Sequence, residues 1–284
     1  LLLVMLTVGV LVLERRTRGR ARFHRATAGT PPRRRVTSLG RWRWPALAYC
    51  GAVVAMALLI PIGTLVYWSV RGAGAEAAHV NMWAAAGNSA LASGLAGLAA
   101  VAAALPVAAF AARYRQRLSS VLEGVVYSGY ALPGVVLALS LVFFAANYAP
   151  IVYQSLFLLV FAYVVRFLPE AFGAIRASFL QVSPRLEESA RAVGRGRLAV
   201  VRTITLPLIR PGILAGGALV FLTAMKELPA TLLLGPTGFP TLATQIWSAT
   251  DEGFFAAAGP AALLLVALAS LPMIFLFPRI QDSR

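Results

Sequence analysis

The sequence predicts an all-α, polytopic membrane protein, with six complete transmembrane helices and the end of another before them. Three observations carry that prediction. Of the 284 residues, 59% are hydrophobic and 13% charged, against about 25% charged in soluble domains; the mean hydropathy is +0.77. So little polar surface cannot cover a particle of this size in water, whereas lipid asks for none. Six apolar stretches, roughly 45–70, 88–112, 124–148, 151–168, 209–233 and 254–278, are close to the ~20 residues a helix needs to cross the hydrocarbon core. The arginines, finally, cluster in alternate connections between these stretches, as the positive-inside rule describes.

Taken in order, residues 1–13 are apolar but too short to span. Their arginines follow the apolar run instead of preceding it, and no small-residue cleavage site comes after it, so the segment does not read as a signal peptide. It is expected to be the end of a preceding transmembrane helix, and the chain a fragment of a longer one. Residues 14–44 hold eleven arginines and Thr30-Pro31-Pro32 without apolar periodicity. A solvated cytoplasmic linker is expected there, its arginines against anionic membrane lipids. The net charge of +16 invites nucleic acid as a partner, but the charges lie in short stretches between apolar runs and read as topology.

The remaining residues, 45–284, form the six-helix domain. With the linker inside, 24 of 25 arginines fall on the cytoplasmic side, including Arg113, Arg115, Arg117, eight from Arg166 to Arg210, and the two of the tail. Only Arg71 lies opposite, and the single lysine, Lys226, sits within a span. The carboxyl terminus is therefore expected in the cytoplasm. Gly87-Asn88-Ser89 is placed to cap the second span. Pro133-Gly134 should distort or break the third, for gating or for close packing. Tyr127, Tyr130 and Asn147 are polar groups in spans without an assigned role. Cys50 is the only cysteine, and His24 and His79 lie far apart, so no internal disulfide and no His/Cys metal site are expected.

The connection between the fourth and fifth spans, about 40 residues over 166–210, is long for a helix–helix loop. Ser183-Pro184 suits a helix start, Ser as cap and Pro at the first position. Glu187 and Glu188 favour the first-turn dipole, and Leu186, Ala190 and Val193 recur at helical spacing. Gly194 can end the helix in a left-handed conformation. A second segment runs from Arg197 to Thr205, and Pro207 marks the approach to the next span. Two short helices joined at a glycine fit a knob that docks in a partner's groove; an amphipathic helix on the bilayer surface fits as well.

Spacing separates the two. Glu188-Ser189-Ala190, three residues, Gly194, nine residues, then Ile204-Thr205-Leu206-Pro207 resembles the signature of bacterial ABC importer permeases: Glu-Ala-Ala, three residues, Gly, nine residues, Ile-x-Leu-Pro. Ser189 for the middle Ala is the one departure. The resemblance implies a type I ABC importer permease fold, in which the loop 183–207 holds a coupling helix fitting a cleft on a cytoplasmic ABC ATPase dimer. By that analogy Glu188, Ser189, Ala190 and Gly194 dock, and Ile204, Leu206 and Pro207 lead back into the membrane. A periplasmic substrate-binding protein and a second permease half, fused upstream, are the other implied partners. There is no Gly-x-x-x-x-Gly-Lys-Ser/Thr loop, and the nearest stretch, Gly235-Pro236-Thr237-Gly238, lacks the lysine. ATP is thus expected on the partner subunit, with no cofactor and no enzyme activity in this chain.

Lys226-Glu227-Leu228-Pro229-Ala230-Thr231, Thr241-Leu242-Ala243-Thr244 before Trp247, and Ala131-Leu132-Pro133-Gly134-Val135-Val136-Leu137-Ala138-Leu139 resemble the carboxyl-terminal half of fused iron(III) importer permeases. Iron(III) is the substrate so implied; thiamine, sulfate, polyamine and phosphonate permeases share much of the pattern. Lys226 and Glu227 are adjacent opposite charges at membrane depth. Such charges usually face a bundle interior or wet cavity, so they either line the translocation path or form an ion pair that fixes neighbouring helices. A secondary carrier would place coupling carboxylates or broken helices at midplane, with Glu227 the one candidate and the docking motif unexplained. A membrane enzyme would need clustered His, Asp or Glu, and the ten acids fall mostly in loops.

Overall fold

The computed structural model describes residues 40–72, 82–114 and 116–281. The expected truncated helix at 1–13, the linker up to residue 39, His24, His79 and Arg115 lie outside the described residues. The chain divides into two compact units, Leu1–Thr64 and Leu65–Arg284. The described part of the first is helical, a single 3-10 turn leading into α1 (Arg43–Arg71), which begins two residues before the expected start and continues into the second unit.

The second unit contains α2 (Met82–Arg113), α3 (Arg117–Ala131), α4 (Gly134–Tyr148), α5 (Leu156–Gln181), α6 (Pro184–Ala192), α7 (Arg197–Val200), a π-helical stretch Val201–Thr205, α8 (Leu206–Met225), α9 (Pro229–Leu234), α10 (Leu242–Asp251) and α11 (Phe255–Gln281). No strand occurs among the described residues. Among the described residues, five helices are long and apolar enough to cross a membrane, and α3 with α4 makes a sixth span if the pair, bent by 99°, is counted as one.

The core is built from α2, α5 and α8. The buried positions along α2 include Ala85, Ser89, Ala92, Ala96, Ala100, Ala104, Ala108 and Ala111, each three or four from the next, with Ala86, Ser93 and Gly97 beside them. A stripe of small residues lets backbones approach where lipid gives no hydrophobic drive between helices. At the closest point, a Cβ on Gly97 would stand 3.0 Å from the Gly217 carbonyl of α8. α5 supplies the large groups: Tyr163, Phe167, Phe172 and Ile175 are all buried against this stripe.

Three spans depart from the expected course. The third breaks fully at Leu132-Pro133. Pro133 has no N–H and its ring clashes with the preceding turn, while Leu132 before it is pushed to an extended φ of −87° and ψ of 124°. The fourth, expected to close at 168, starts at Leu156, capped by Ser155 Oγ accepting from Leu158 N, and runs to Gln181. Pro169 is accommodated inside it. Arg166 and Arg176, assigned by the sequence to the cytoplasmic loop, are therefore helix residues within the span, and the connection is shorter than expected. The fifth, expected to continue through 233, stops at Met225 and resumes at Pro229, whose missing N–H suits the first helical position.

Gly87-Asn88-Ser89 lies inside α2 and caps nothing, because that helix starts six residues earlier than expected. Instead Asn88 Nδ2 donates to the Pro240 carbonyl at 2.9 Å and Ser89 Oγ accepts from Leu242 N at 2.8 Å, holding the start of α10.

Candidate functional site

The loop with the spacing motif forms a small knob. α6 is nine residues long with Pro184 at its first turn, but the Ser183 side chain makes no capping bond. Its end is closed by Arg195 N donating to the Ala190 carbonyl at 3.2 Å and Gly194 N to the Arg191 carbonyl at 2.9 Å. That pair is the Schellman arrangement. It requires the left-handed φ of +86° found at Gly194, where a Cβ would cost about 1–2 kcal/mol. No residue of α6 is buried. Glu188, Ser189 and Gly194 are exposed and Ala190 half-buried, while the apolar Leu186 and Val193 stand 50% and 84% exposed.

Glu187 turns the other way. Its Oε1 accepts from Arg113 Nη2 at 2.5 Å and from Thr205 Oγ1 at 2.9 Å, and Arg113 Nη1 also donates to the Val182 carbonyl at 3.1 Å. One carboxylate thus joins the end of α2, the knob and the base of α8. Ile204 is half-buried there, and Leu206 and Pro207 are exposed. Pro207 has no N–H to give the carbonyl one turn back, and the wider π-helical turn Val201–Thr205 lies directly before it. The docking residues and the 204–207 residues are held together through Glu187–Thr205 and through Arg195 Nη1 on Thr203 Oγ1 at 3.1 Å.

Lys226 and Glu227 lie at the opposite end of the 20-residue α8, ~30 Å away by helix rise. The two differ sharply. Lys226 is exposed; Glu227 is 6% exposed. The partner of Glu227 is Arg166 of α5, Nη1 to Oε1 at 2.6 Å. Glu227 Oε1 also faces Ala230 N at 3.4 Å, and its carbonyl accepts from Thr231 Oγ1. With the Thr231 proton so committed, Tyr163 donates across the 2.6 Å contact to Thr231 Oγ1. The Arg166 guanidinium also fills the space above Gly134, where a Cβ would fall 1.6 Å from Nη1. The breaks in the third and fifth spans therefore converge on one ion pair.

Beside that pair, Glu170 accepts from Thr223 Oγ1 at 2.9 Å. Sequence reasoning missed Arg166 and Glu170 because Arg166 was counted with the cytoplasmic loop and Glu170 lay past the expected end of the fourth span at 168. Extending the helix through Pro169 to the next apolar cluster at Phe179-Leu180 would have marked them as intramembrane charges. Arg113 and Thr205 carried no signal, since their bond to Glu187 joins residues far apart in sequence.

The model of the family described as "binding-protein-dependent transport system inner membrane component" matches residues 104–283. The Fe(3+)-transport system permease protein FbpB 2 of Haemophilus influenzae is 39% identical over 230 residues, which is 80% of this chain and 46% of that one. The chain thus spans about half the length of that relative. A probable molybdenum ABC transporter permease protein of Haloferax volcanii is 36% identical over 80% of this chain and 87% of its own length. Among solved structures, a bacterial ABC transporter involved in the import of the acidic polysaccharide alginate superposes with a TM-score of 0.59 at 17% identity, over 84% of this chain and 98% of the other.

Proposed function

We propose, for a chain that belongs to the family of binding-protein-dependent transport system inner membrane components, that it passes iron(III) across the inner membrane under the drive of a cytoplasmic ATPase docked on α6. As a member of that family it is a multi-pass ABC importer permease and not an enzyme. The observation that carries the docking assignment is the knob itself: a helix closed at its carboxyl end, with no buried residue, that leaves Leu186 and Val193 uncovered while Glu187 ties its base to two spans. A helix lying on lipid would turn those apolar groups toward the bilayer and needs no clamp to the bundle; a helix that pushes on spans does.

In this reading Glu188, Ser189, Ala190 and Gly194 meet the cleft of an ABC ATPase dimer. Ile204, Leu206 and Pro207 carry the displacement into α8. A periplasmic binding protein delivers substrate from the other face, and a second permease half completes the path. Lys226 faces that path, and Glu227 holds the break between α8 and α9 through Arg166. The arginines outside the spans support a cytoplasmic placement of α6 and of the carboxyl terminus. Iron(III) is favoured by the relative at 39% identity, and molybdenum is the alternative raised by the relative at 36%.

Gentle detergent purification of wild type and Gly194→Asp tests the docking. An ATPase that accompanies wild type and is lost from the variant is the expected result. Association with neither, or equally with both, would refute it. Uptake with the binding protein loaded with ferric ion or with molybdate decides the substrate.

A further inference from the structure

Building on the proposed importer function, we infer that α4 and α9 form one gating element at the end of the path away from the knob, with Arg166 as the positioning residue that seats it on the bundle. α4 and α9 are the segments beyond the two breaks, at Leu132-Pro133 and at Lys226–Leu228. Each packs more against the other than against any other element. The helices before the breaks have different neighbours: α3 lies mainly on α5, and α8 on α5 and α2. The breaks are therefore boundaries between two packed bodies.

The far ends are joined as well. Thr237 Oγ1, in the connection after α9, donates to Gln154 Oε1, in the connection after α4, at 3.2 Å. At the base, α5 supplies both attachments. Tyr163 and Arg166, three residues apart and so on one helix face, reach Thr231 Oγ1 and Glu227 Oε1, each at 2.6 Å. Tyr163, Thr231 and Glu227 are all buried. Arg166 does more than pair. Its guanidinium occupies the space that a side chain on Gly134, the first residue of α4, would need. One group thus meets the base of α4 and the approach to α9, and a shift of α5 reaches both segments at once.

The breaks suit hinges. Pro133 and Pro229 have no N–H to bond back toward the helices before them, and a few residues at an element's end can absorb the change in backbone angles. Tightly packed bodies switch between discrete arrangements instead of bending continuously, so α4 and α9 turn together about Arg166. α4 also leaves Val136, Leu139 and Phe143 exposed at helical spacing. An apolar face of this kind excludes water where it meets a second such face and admits it where they part, which is how hydrophobic constrictions gate. The second permease half would supply the opposing face.

The test uses the complete transporter in proteoliposomes, with its ATPase and binding protein, and spin labels in a Cys50→Ser background, Cys50 being the only cysteine. Phe144→Cys on α4 with Leu232→Cys on α9 reports the element; Val125→Cys on α3 with Phe144→Cys reports the break. All three positions are exposed. Between the nucleotide-free and ATP-bound states, the first distance should stay constant while the second shifts. Gly134→Ala, which drives a methyl group into the Arg166 guanidinium, should cut uptake by roughly tenfold, the scale of overpacking, with hydrolysis stimulated by the loaded binding protein retained. Arg166→Lys keeps a charge for Glu227 and clears the space, so adding it to Gly134→Ala should restore part of the uptake; a general folding defect would not be rescued in this way. A first distance that changes as much as the second, or a second that does not change, overturns the gating element. Uptake by Gly134→Ala equal to wild type, or no recovery in the double variant, overturns the role of Arg166. Failure of the importer function has a different signature: stimulated hydrolysis is then absent in wild type.

Discussion

Two adjacent glutamates in α6 should behave as different kinds of residue, and the structure sets the size of the difference. Glu187 is 15% exposed and accepts from Arg113, itself 18% exposed, and from Thr205. Both are well under one-third exposed, so solvent screening takes little away. Replacing Glu187 by Ala leaves the Arg113 guanidinium, among the described residues, with the Val182 carbonyl as its one hydrogen-bond acceptor and the Phe179 ring beside it. Losing a charged hydrogen bond of this kind costs about 1.5–3 kcal/mol. Glu187→Gln keeps an acceptor for Thr205 and loses the charge, so its cost should be smaller. Glu188, exposed, has no bond within the described fold, and Glu188→Ala should leave the melting temperature unchanged. The functional readouts should then divide the other way. Glu188→Ala should weaken association with the ATPase. Glu187→Ala should keep the ATPase bound but lower uptake per ATP hydrolysed, because the knob is no longer clamped to α2 and the base of α8. Thermal unfolding in detergent and uptake with hydrolysis in proteoliposomes provide both measurements. If Glu187→Ala and Glu188→Ala match in melting temperature and in uptake per ATP, Glu187 is not a clamp.

Two further outcomes follow from packing and charge. A Cβ on Gly129 would stand 2.4 Å from the Val165 carbonyl of α5, a backbone atom that cannot turn aside. Gly129→Ala should cost about 1–3 kcal/mol as overpacking; Gly87→Ala, which meets nothing within 4 Å, should be neutral or raise the melting temperature. Equal effects of the two would contradict the α3–α5 contact. Glu227→Ala should destabilise by about 3–5 kcal/mol by leaving Arg166 unpaired, read as lost yield and lowered melting temperature. The Arg166→Ala/Glu227→Ala double variant should recover part of that loss, and strictly additive losses would show that the pair is not coupled.

Much of the architecture was legible because lipid imposes a simple code. Apolar length predicted α1, α2 and α11 to within a few residues, except for the start of α2. Pro184 and Gly194 bounded α6 correctly, since a missing N–H and a left-handed φ are local properties of those residues. What the sequence concealed was the middle of the membrane. Arg166, Pro169 and Glu170 lowered local hydropathy and looked like the end of a span, yet α5 continues because its charges are met by other helices. The same charges explain why α8 stops at Met225: Lys226 and Glu227 are used at a break, and a continuous apolar reading to residue 233 could not register it. Long-range pairs such as Arg113–Glu187 leave no periodic trace at all.

The two ends of α8 give the molecule a mechanical logic. The lower end begins at the clamp of Glu187 and Thr205; the upper end stops beside the Arg166–Glu227 pair. Between them α8 lies against α5 with almost no side-chain cushion. A Cβ on Gly212 would meet Ser178 Oγ at 2.2 Å and the Ala174 carbonyl at 2.8 Å, and one on Gly216 would stand 3.0 Å from Ala171 Cα. Interiors packed this closely move as bodies instead of deforming continuously. A push on the knob is then delivered to α5 and α8 together. It cannot be absorbed along them, so it emerges where the spans are already broken, at Leu132-Pro133 and at Lys226–Leu228.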